Sequence, residues 1–437
     1  MFGYYLRLAL ISLKRNRMLT ALMIAAIALG IGMSMTSMTV LHVMSGNPLA
    51  HKDTQVRRVQ VDNWTEPFDE DDPTEAPTLM TYRDVTNLMA AKQAEHQAAF
   101  FPNYLSIEPD KREVKPYMVE VLFTTAGFFP IFEPPFQYGS GWGADEDRNA
   151  GRVAVISRAT NDKLFGGQNS VGKRVRMDGE EYRVVGVLDD WQPTPRVYHI
   201  SGGAFGDPQE VYVPFQIGIG KELQSSSNNS CDQESGSGYQ NWLNSECIWL
   251  DMWVQVKDAD DAQRYKAFLD GYVEDQKRSG RFPRPLNNKL RSVSEWLESQ
   301  RVVSRDARTQ VWLAFAFFMV CLINTVGLLL AKFMGKAPEI GLRRAVGASK
   351  PALFAQYLTE AGIIGIAGGV FGLALTGLGL LALRKLYTGT ATEKLAQLDW
   401  TMVGLSLLIA LAASLLAGLY PTWRACQVQP ATQLKTQ

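Results

Sequence analysis

The sequence predicts a membrane protein with four transmembrane α-helices and a large extracytoplasmic α+β domain inserted between the first and second helices. Three observations lead to this prediction. Four runs of 23 or 24 residues contain no Asp, Glu, Lys or Arg, and about 20 apolar residues suffice for a helix to cross a bilayer. A polar block of 265 residues separates the first run from the second. Charge is also segregated along the chain.

The charge segregation is hidden by a neutral total of 44 basic and 44 acidic residues in 437. Met44 to Arg308 holds 40 acidic and 30 basic residues, a net of −10, and the remainder holds 4 and 14, a net of +10. Two such segments indicate two different surroundings. The neutral total excludes a globally basic nucleic-acid-binding protein, so no nucleic acid is expected among the partners.

The four charge-free runs are the predicted spans, because a helix satisfies its own backbone groups within the bilayer. Buried helices of a soluble protein are the less favoured alternative, since four separate runs have this length. The first run is longer than the apolar part of a signal peptide and lacks an evident cleavage site, so we expect an uncleaved anchor. The runs are Met18–Leu41, Thr309–Ala331, Ala361–Leu383 and Trp400–Trp423.

Orientation follows from the basic residues, which precede the first run, fill the loop between the second and third, and follow the fourth. The positive-inside rule places all three groups in the cytoplasm. The predicted segments are residues 1–17 (cytoplasmic interfacial helix), 18–43 (transmembrane helix 1), 44–308 (extracytoplasmic domain with stalk), 309–331 (transmembrane helix 2), 332–352 (cytoplasmic loop), 353–383 (transmembrane helix 3), 384–399 (extracytoplasmic loop), 400–423 (transmembrane helix 4) and 424–437 (cytoplasmic tail).

The outside block carries the patterns of a folded domain, with a hairpin indicated by the turn pair Asp178-Gly179. Ser294–Gln310 is polar, lacks Gly and Pro and runs into the second span, which predicts one continuous stalk helix. Helices are predicted at Pro77–Gln93 and Ala259–Lys277. Strands are predicted at Val56–Val61, Tyr117–Phe123, Arg152–Ile156, Arg174–Met177, Glu181–Leu188, Glu210–Pro214 and Ile248–Val256.

Cys231 and Cys247 are the only cysteines of the outside block. In an oxidising compartment they predict a disulfide that closes a loop of 15 intervening residues. The alternative is two unrelated buried thiols. Cys321 and Cys426 are expected to be inert.

The sequence shows no pattern of a catalytic or metal centre. The four histidines lack metal-ligand spacing, and no G-x-S-x-G motif occurs. GQNSVGK at 167–173 resembles a phosphate-binding loop, but Arg174 stands where Ser or Thr is needed, and a strand is predicted to follow instead of a helix. We therefore expect a non-catalytic chain that binds no cofactor.

The third span is rich in glycine. Gly365 with Gly369, and Gly368 with Gly372, form two G-x-x-x-G pairs, which allow close helix contact. Packing within one subunit and packing between subunits are equally compatible with this pattern.

Several motifs together resemble the MacB/FtsX-like permease family. The loop over 336–350 reads KAPEIGLRRAVGASK, followed by QYLTEA at 356–361. Close to the C-terminus stand GLYPTWRA at 418–425 and QPA at 429–431. In the outside block AVIS (154–157), KLFG (163–166), VGK (171–173) and VVGV (184–187) are similar to the periplasmic core of MacB-type members.

The resemblance implies the permease subunit of a type VII ABC transporter in the bacterial inner membrane. Such permeases dimerise, with a second copy or a similar permease, and bind cytoplasmic ATPase subunits that hold ATP and Mg. They act by moving their periplasmic domains, a mode called mechanotransmission. The resemblance also implies a porter part, near Ser45–Thr125 and Trp249–Arg308, with a Sabre-like part inserted between them.

Three functions compete under this resemblance. Efflux from the periplasm, with an adaptor and an outer-membrane channel, is the leading hypothesis. Lipoprotein extraction from the inner membrane, as in Lol-type members, is the second. Regulation of cell-wall hydrolases, as by FtsX, fits less well because the outside block is large. A pure membrane anchor or receptor is a fourth hypothesis, but it would leave the motif in the loop at 332–352 unexplained.

The loop after the second span is expected to contain a helix over Pro338–Ala348 that contacts the ATPase. Pro338 suits a first helical turn, and Gly347 is placed to end the helix. Leu342 and Val346 share a face at i,i+4. Arginines beside that face are expected to pair with ATPase carboxylates, the alternative being lipid phosphates. The predicted coupling residues are Glu339, Ile340, Leu342, Arg343, Arg344 and Val346.

Overall fold

The computed structural model describes residues 2–109, 115–386 and 400–427. The chain forms two compact units, which we call the membrane unit (Met1–Ser45 and Val303–Gln437) and the extramembrane domain (Gly46–Val302). Most of the predicted loop at 384–399 and of the predicted tail at 424–437 lies outside the described residues.

Helices make up most of the described membrane unit, and the extramembrane domain contains helices as well as strands. In chain order they are α1 (Phe2–Arg15), α2 (Arg17–Met44), α3 (Tyr82–Ala91), α4 (Phe128–Phe132), α5 (Ala144–Arg148), α6 (Arg158–Phe165), α7 (Phe215–Gly220), α8 (Tyr239–Asn244), α9 (Ala259–Arg278), α10 (Val293–Ser299), α11 (Arg305–Met334), α12 (Ala337–Ala345), α13 (Lys350–Leu386) and α14 (Trp400–Cys426).

The strands of the described residues all belong to the extramembrane domain and form one sheet in the order β10-β1-β9-β2-β3-β8-β5-β7-β4, with β6 bridging β2 and β7. They are β1 (Val56–Gln60), β2 (His96–Glu108), β3 (Tyr117–Thr124), β4 (Phe136–Gly139), β5 (Val153–Ile156), β6 (Arg174–Met177), β7 (Glu180–Leu188), β8 (Val211–Pro214), β9 (Asp251–Gln255) and β10 (Lys289–Ser292).

Part of this sheet closes into a small barrel, because β6 pairs with β2 as well as with β7. The ring runs β2-β3-β8-β5-β7-β6 and back to β2. Closure removes free strand edges within the ring. One buried cluster takes an apolar side chain from each of the six strands: Phe101, Val121, Val213, Ile156, Val184 and Val175.

Residues that alternate with these along the strands form a second buried cluster. Phe100 and Leu122 stand beside Phe101 and Val121 in sequence, yet they pack on the other face of the sheet with Val155 and Tyr212. Successive strand side chains point to opposite faces, so strands buried on both sides read as continuous apolar runs.

The longest strand, β2, was missing from the sequence-based prediction. Its Pro102 argues against a central strand, because proline cannot donate to a ladder. The ladder with β9 ends at Phe100, and the one with β6 begins at Ile107. The carbonyl of Pro102 faces this gap, where it accepts from the Ser226 backbone N–H at 2.9 Å. The missing N–H of Pro102 therefore faces an edge that no strand of the described part of the chain occupies.

The other predicted strands are confirmed to within a few residues, and so is the helix predicted at Ala259–Lys277. The helix predicted from Pro77 begins only at Tyr82. Thr81 caps it, since its hydroxyl accepts from the Asp84 backbone N–H at 3.1 Å. Met80 is meanwhile bonded to Leu250 as an isolated bridge, so the residues before Thr81 are extended.

The predicted continuous stalk over Ser294–Gln310 is wrong. The helix α10 ends at Ser299, and α11 begins at Arg305. Arg301 has a left-handed φ of 47°, which no regular helix contains. Ser304 then starts a new helix, because its hydroxyl accepts from the Ala307 backbone N–H at 3.1 Å. A local capping residue outweighed the absence of Gly and Pro.

Within the described residues, four helices of the membrane unit are long and apolar enough to cross a membrane, which confirms the four predicted spans. They cover Arg17–Met44, Arg305–Met334, Lys350–Lys385 and Val403–Cys426. The helix α2 packs against α11 and α13, and α13 also packs against α14 and against α1. The amphipathic helix α1 is therefore partly covered by protein.

Candidate coupling site

The predicted helix after the second span exists as α12, but it ends at Ala345, three residues before the predicted end at Ala348, so Val346 is its C-terminal capping residue. Pro338 lies in its first turn, where backbone N–H groups have no acceptor within the helix, so the missing N–H of proline costs no hydrogen bond. After the last turn Gly347 adopts a φ of 103°, which favours glycine. The Ala348 backbone N–H then donates to the Arg343 carbonyl at 2.9 Å and closes the helix end.

The two faces of α12 differ sharply in exposure. Ile340 is fully buried in the apolar cluster of the membrane unit. Leu342 and Val346 are 58% and 82% exposed. The structure thus separates the predicted apolar set: Ile340 anchors the helix, whereas Leu342 and Val346 form an exposed apolar ridge.

The charged side chains of α12 are engaged within the chain. The Glu339 carboxylate pairs with the Arg343 guanidinium at 2.7 Å and with Arg15 of α1 at 3.6 Å. Arg343 also donates to the Gln356 side-chain carbonyl on α13, at 3.1 Å. Arg344 is half-buried and has an interaction of its own. The expected ion pairs of Arg343 and Arg344 with an ATPase stay a prediction.

Next to α12 the structure contains a buried polar group that sequence reasoning missed. Lys332, near the end of α11, and Glu360 of α13 are both completely buried and pair at 2.6 Å. Lys336, just before α12, lies 3.7 Å from the same carboxylate. Ser12 of α1 donates to the Glu360 carboxylate at 2.6 Å. Lys332 also donates to the Thr20 hydroxyl of α2 at 3.3 Å.

We name Lys332, Lys336, Glu360, Ser12 and Thr20 the polar cluster. Lys332 and Glu360 each lie one residue beyond a charge-free run, and the sequence-based analysis gave them no role at a site. One signal was available: Glu360 is the only acidic residue of α13. Its partner could not be found from the sequence, because 27 residues and a helix separate it from Lys332.

The four glycines of the two G-x-x-x-G pairs in α13 pack within the chain. A Cβ on Gly368 or Gly372 would meet Ile27 or Ile31 of α2, at 2.6 and 2.9 Å. On the other side, a Cβ on Gly365 would clash with Ser414 of α14, and one on Gly369 would meet Ala410 at 2.9 Å. These four glycines therefore allow α13 to approach α2 and α14 closely.

In the extramembrane domain Cys231 and Cys247 form a disulfide across 16 positions. The GQNSVGK segment follows α6 and precedes the β6–β7 hairpin, so no helix begins there to receive a phosphate. Among the described residues, no group of three or more His, Cys, Asp or Glu side chains is arranged to hold a metal ion.

Comparison with known proteins matches two family models. One, described as the MacB-like periplasmic core domain, covers residues 20–271. The other, described as the FtsX-like permease C-terminal, covers residues 311–430. The first match alone spans more than half of the chain.

Individual relatives are distant. The macrolide export ATP-binding/permease protein MacB of Syntrophobacter fumaroxidans is 24% identical over 71% of this chain and 46% of that protein. The pyoverdine export ATP-binding/permease protein PvdT of Pseudomonas syringae pv. syringae is 23% identical over 71% of this chain and 42% of that protein. The chain spans less than half the length of these two relatives.

Among solved structures, the periplasmic region of MacB from Actinobacillus actinomycetemcomitans aligns with a TM-score of 0.37 and 12% identity. That alignment covers 57% of this chain and 92% of that structure. The family rests on the two model matches, which together extend from the first span to the last. On this basis the chain belongs to the MacB/FtsX-like permease family.

Proposed function

We propose that this chain is the permease subunit of an ATP-driven type VII ABC transporter in a bacterial inner membrane. A separate cytoplasmic ATPase chain binds ATP and Mg and hydrolyses ATP. The permease works as a dimer with a second copy or a similar permease. Its large domain lies in the periplasm, and ATP hydrolysis drives motion of that domain.

The observation that carries this proposal is the asymmetry of α12. Its inner face is fixed by Ile340 among the transmembrane helices, while Leu342 and Val346 project from the other face. An exposed apolar pair on an anchored helix suits a partner protein, because burying it on association is favourable. The helix lies within the loop 332–352, which the positive-inside rule assigns to the cytoplasm, where an ATPase is available.

The direction we propose is export from the periplasm. It is supported by the relatives, whose names describe macrolide export and pyoverdine export. A periplasmic adaptor and an outer-membrane channel would complete such a pathway. Lipoprotein extraction and the regulation of cell-wall hydrolases are the alternative functions. A lipoprotein carrier or a hydrolase as the partner would indicate them.

The test is affinity purification of the tagged full chain from membranes, with identification of the proteins that accompany it. We expect an ABC ATPase. Replacing Leu342→Glu and Val346→Glu together should lower its recovery at least about tenfold, since charge on the ridge opposes burial at the interface. Recovery of the ATPase unchanged by this double variant would refute the role of the ridge.

Met118→Glu is the matched control. Met118 is also an apolar side chain, 60% exposed, but it belongs to the extramembrane domain. This variant should retain the ATPase fully. A co-purifying lipoprotein carrier or hydrolase, in place of an adaptor, would redirect the proposal toward the other two functions.

A further inference from the structure

The polar cluster gathers side chains from five segments of the membrane unit around one carboxylate. Glu360 comes from α13, Ser12 from α1 and Lys332 from α11. Lys336 belongs to the short link before α12, and it also donates to the Ser12 hydroxyl. Thr20 brings in α2 through Lys332. Helices that share no backbone hydrogen bonds are thus tied by one buried network.

Burial makes this network difficult to open. Glu360 and Lys332 have no exposed surface, and Lys336 is nearly buried. Separating the segments would leave a charge inside the protein without its partner, which is strongly unfavourable. The five segments therefore move together more readily than they separate.

The buried network lies directly beside the start of α12, so it can couple that helix to the transmembrane helices. Lys336 is the residue immediately before α12, and its ammonium lies 5.8 Å from the ring centre of Tyr357 on α13. At the other edge, Arg15 of α1 reaches Glu339 in the first turn of α12. The base of α12 is thus held by α1 and by α13, and not only by its link to α11.

We infer that Glu360 is a positioning residue that joins α1, α11 and the base of α12 into one body, through which displacement of α12 reaches the transmembrane helices. According to this inference, α1 moves together with α11 and α12, and it is not an independent helix on the membrane surface. The inference rests on the proposed role of α12 in contacting an ATPase.

The docking of α1 is tested first, without any ATPase. Ala9 of α1 is fully buried, so an Ala9→Cys variant reports whether α1 stays in place. It is made in a chain with Cys321→Ala and Cys426→Ala, and the Cys231–Cys247 disulfide leaves no other thiol. A water-soluble maleimide should label position 9 slowly in this chain. Adding Glu360→Gln should speed labelling at least about tenfold, because local opening follows the loss of buried contacts.

Lys14→Gln is the matched control, because it also removes a charge, on an exposed residue of α1 outside the cluster. It should leave the labelling rate unchanged. Lys332→Glu, which places a second carboxylate beside Glu360, should also speed labelling. An intact Cys231–Cys247 disulfide and normal amounts in the membrane show that each variant has folded. Slow labelling in Glu360→Gln would overturn the inference.

The relay is tested in the complex with the ATPase that co-purifies with the full chain. Glu360→Gln should retain the ATPase within about twofold, while permease-stimulated ATP hydrolysis falls to the rate of the ATPase alone. Fast labelling of position 9 combined with undiminished stimulation would overturn the relay. Failure of the unaltered chain to recover any ATPase would instead refute the proposed function, while the maleimide rates alone would still decide how α1 is held.

Discussion

The two units of the molecule both bury an ion pair, but they do so in different settings. In the extramembrane domain Arg58 pairs with Asp251 at 2.7 Å, and His199 meets the other oxygen of that carboxylate at 2.7 Å. Arg58 lies on β1 and Asp251 on the neighbouring strand β9. In the membrane unit Lys332 and Glu360 connect helices that share no ladder.

The difference teaches what each pair does. Strands β1 and β9 are already joined by backbone hydrogen bonds, so their pair completes a sheet that exists without it. The guanidinium of Arg58 also lies over the rings of Trp253 and Trp296, at 5.6 and 4.9 Å. The pair of Arg58 and Asp251 therefore contributes to the stability of the folded domain, together with the aromatic rings and the histidine that it contacts. The pair between helices fixes their relative position, which is a mechanical role.

The largest expected effect is on the pair in the sheet. Asp251→Asn removes the carboxylate and leaves Arg58 buried without its counter-charge, which costs about 3–5 kcal/mol. Denaturant unfolding of the detergent-solubilised full chain, followed by tryptophan fluorescence, measures this loss. Arg174→Gln, in the exposed pair with Glu181, should change the free energy of unfolding by less than about 1 kcal/mol. Equal losses in the two variants would contradict the comparison.

The same carboxylate predicts a pH dependence. Burial alone would raise the pKa of Asp251, but Arg58 and His199 outweigh it and hold that pKa below its ordinary value. The folded state then binds fewer protons than the unfolded state between the two pKa values. The stability from Asp251 is fully present above about pH 3.9 and is lost as pH falls through the folded pKa.

Asp251→Asn should therefore flatten the fall in unfolding free energy below about pH 4. Some slope should remain, because Glu246 behaves similarly: burial would raise its pKa, but Arg281 brings it below the ordinary value. An acid unfolding curve as steep in Asp251→Asn as in the unaltered chain would show that Asp251 is not the main titrating group.

The disulfide gives the next largest effect, and it too belongs to the extramembrane domain. Reducing the Cys231–Cys247 bond, or replacing both residues by Ala, should lower the unfolding free energy by about 3 kcal/mol, the value for a loop of this length. The membrane unit should retain its helical circular dichroism. In the variant lacking both cysteines, a reductant should have no further effect, and a further loss of stability would disprove the assignment.

Close helix contact in the membrane unit is tested by Gly372→Ala. A Cβ at this position meets Ile31 at 2.9 Å, and overpacking costs about 1–3 kcal/mol. Gly377→Ala is the matched control, because no atom lies within 4 Å of a Cβ there. The midpoint of thermal unfolding in detergent should fall for the first variant only. A similar result for both would indicate that α13 does not pack on α2 through this face.

The smallest expected effect on stability comes from the exposed pair on α12. Glu339→Lys should change the unfolding free energy by less than about 1 kcal/mol, since the pair is partly solvated. It places a third cation beside Arg15 and Arg343, so we expect it to reduce ATPase-coupled activity far more than stability. Exchanging Glu339→Arg and Arg343→Glu together should recover part of that activity. No change in stimulated hydrolysis in Glu339→Lys would exclude Glu339 from coupling.

The local features of the coupling site were predictable from the sequence. Pro338 and Gly347 mark the ends of α12, and the i,i+4 spacing of Leu342 and Val346 places them on one face. Each of these signals acts within a few residues of its effect. The disulfide could be favoured for a similar reason, since one compartment offers a single pair of cysteines.

The predicted continuous stalk was wrong, and the strand β2 was not predicted. In both cases an interaction that competes with the local sequence pattern decided the structure. Pro102 is compatible with β2 because neither β9 nor β6 pairs with the strand at that residue. Ser304 caps a new helix, although the composition of Ser294–Gln310 is compatible with one continuous helix. Neither composition nor periodicity records such competition.

The sequence by itself determined the four spans, the α+β character of the block between the first two and the ends of α12, because bilayer thickness, side-chain periodicity and capping act along the chain. Only the tertiary structure decided that six strands close into a barrel, that the glycines of α13 face α2 and α14, and that Glu360 meets Lys332 and Ser12. These contacts join residues far apart in sequence, and each partner is selected by the position of whole helices and strands, which no local pattern encodes.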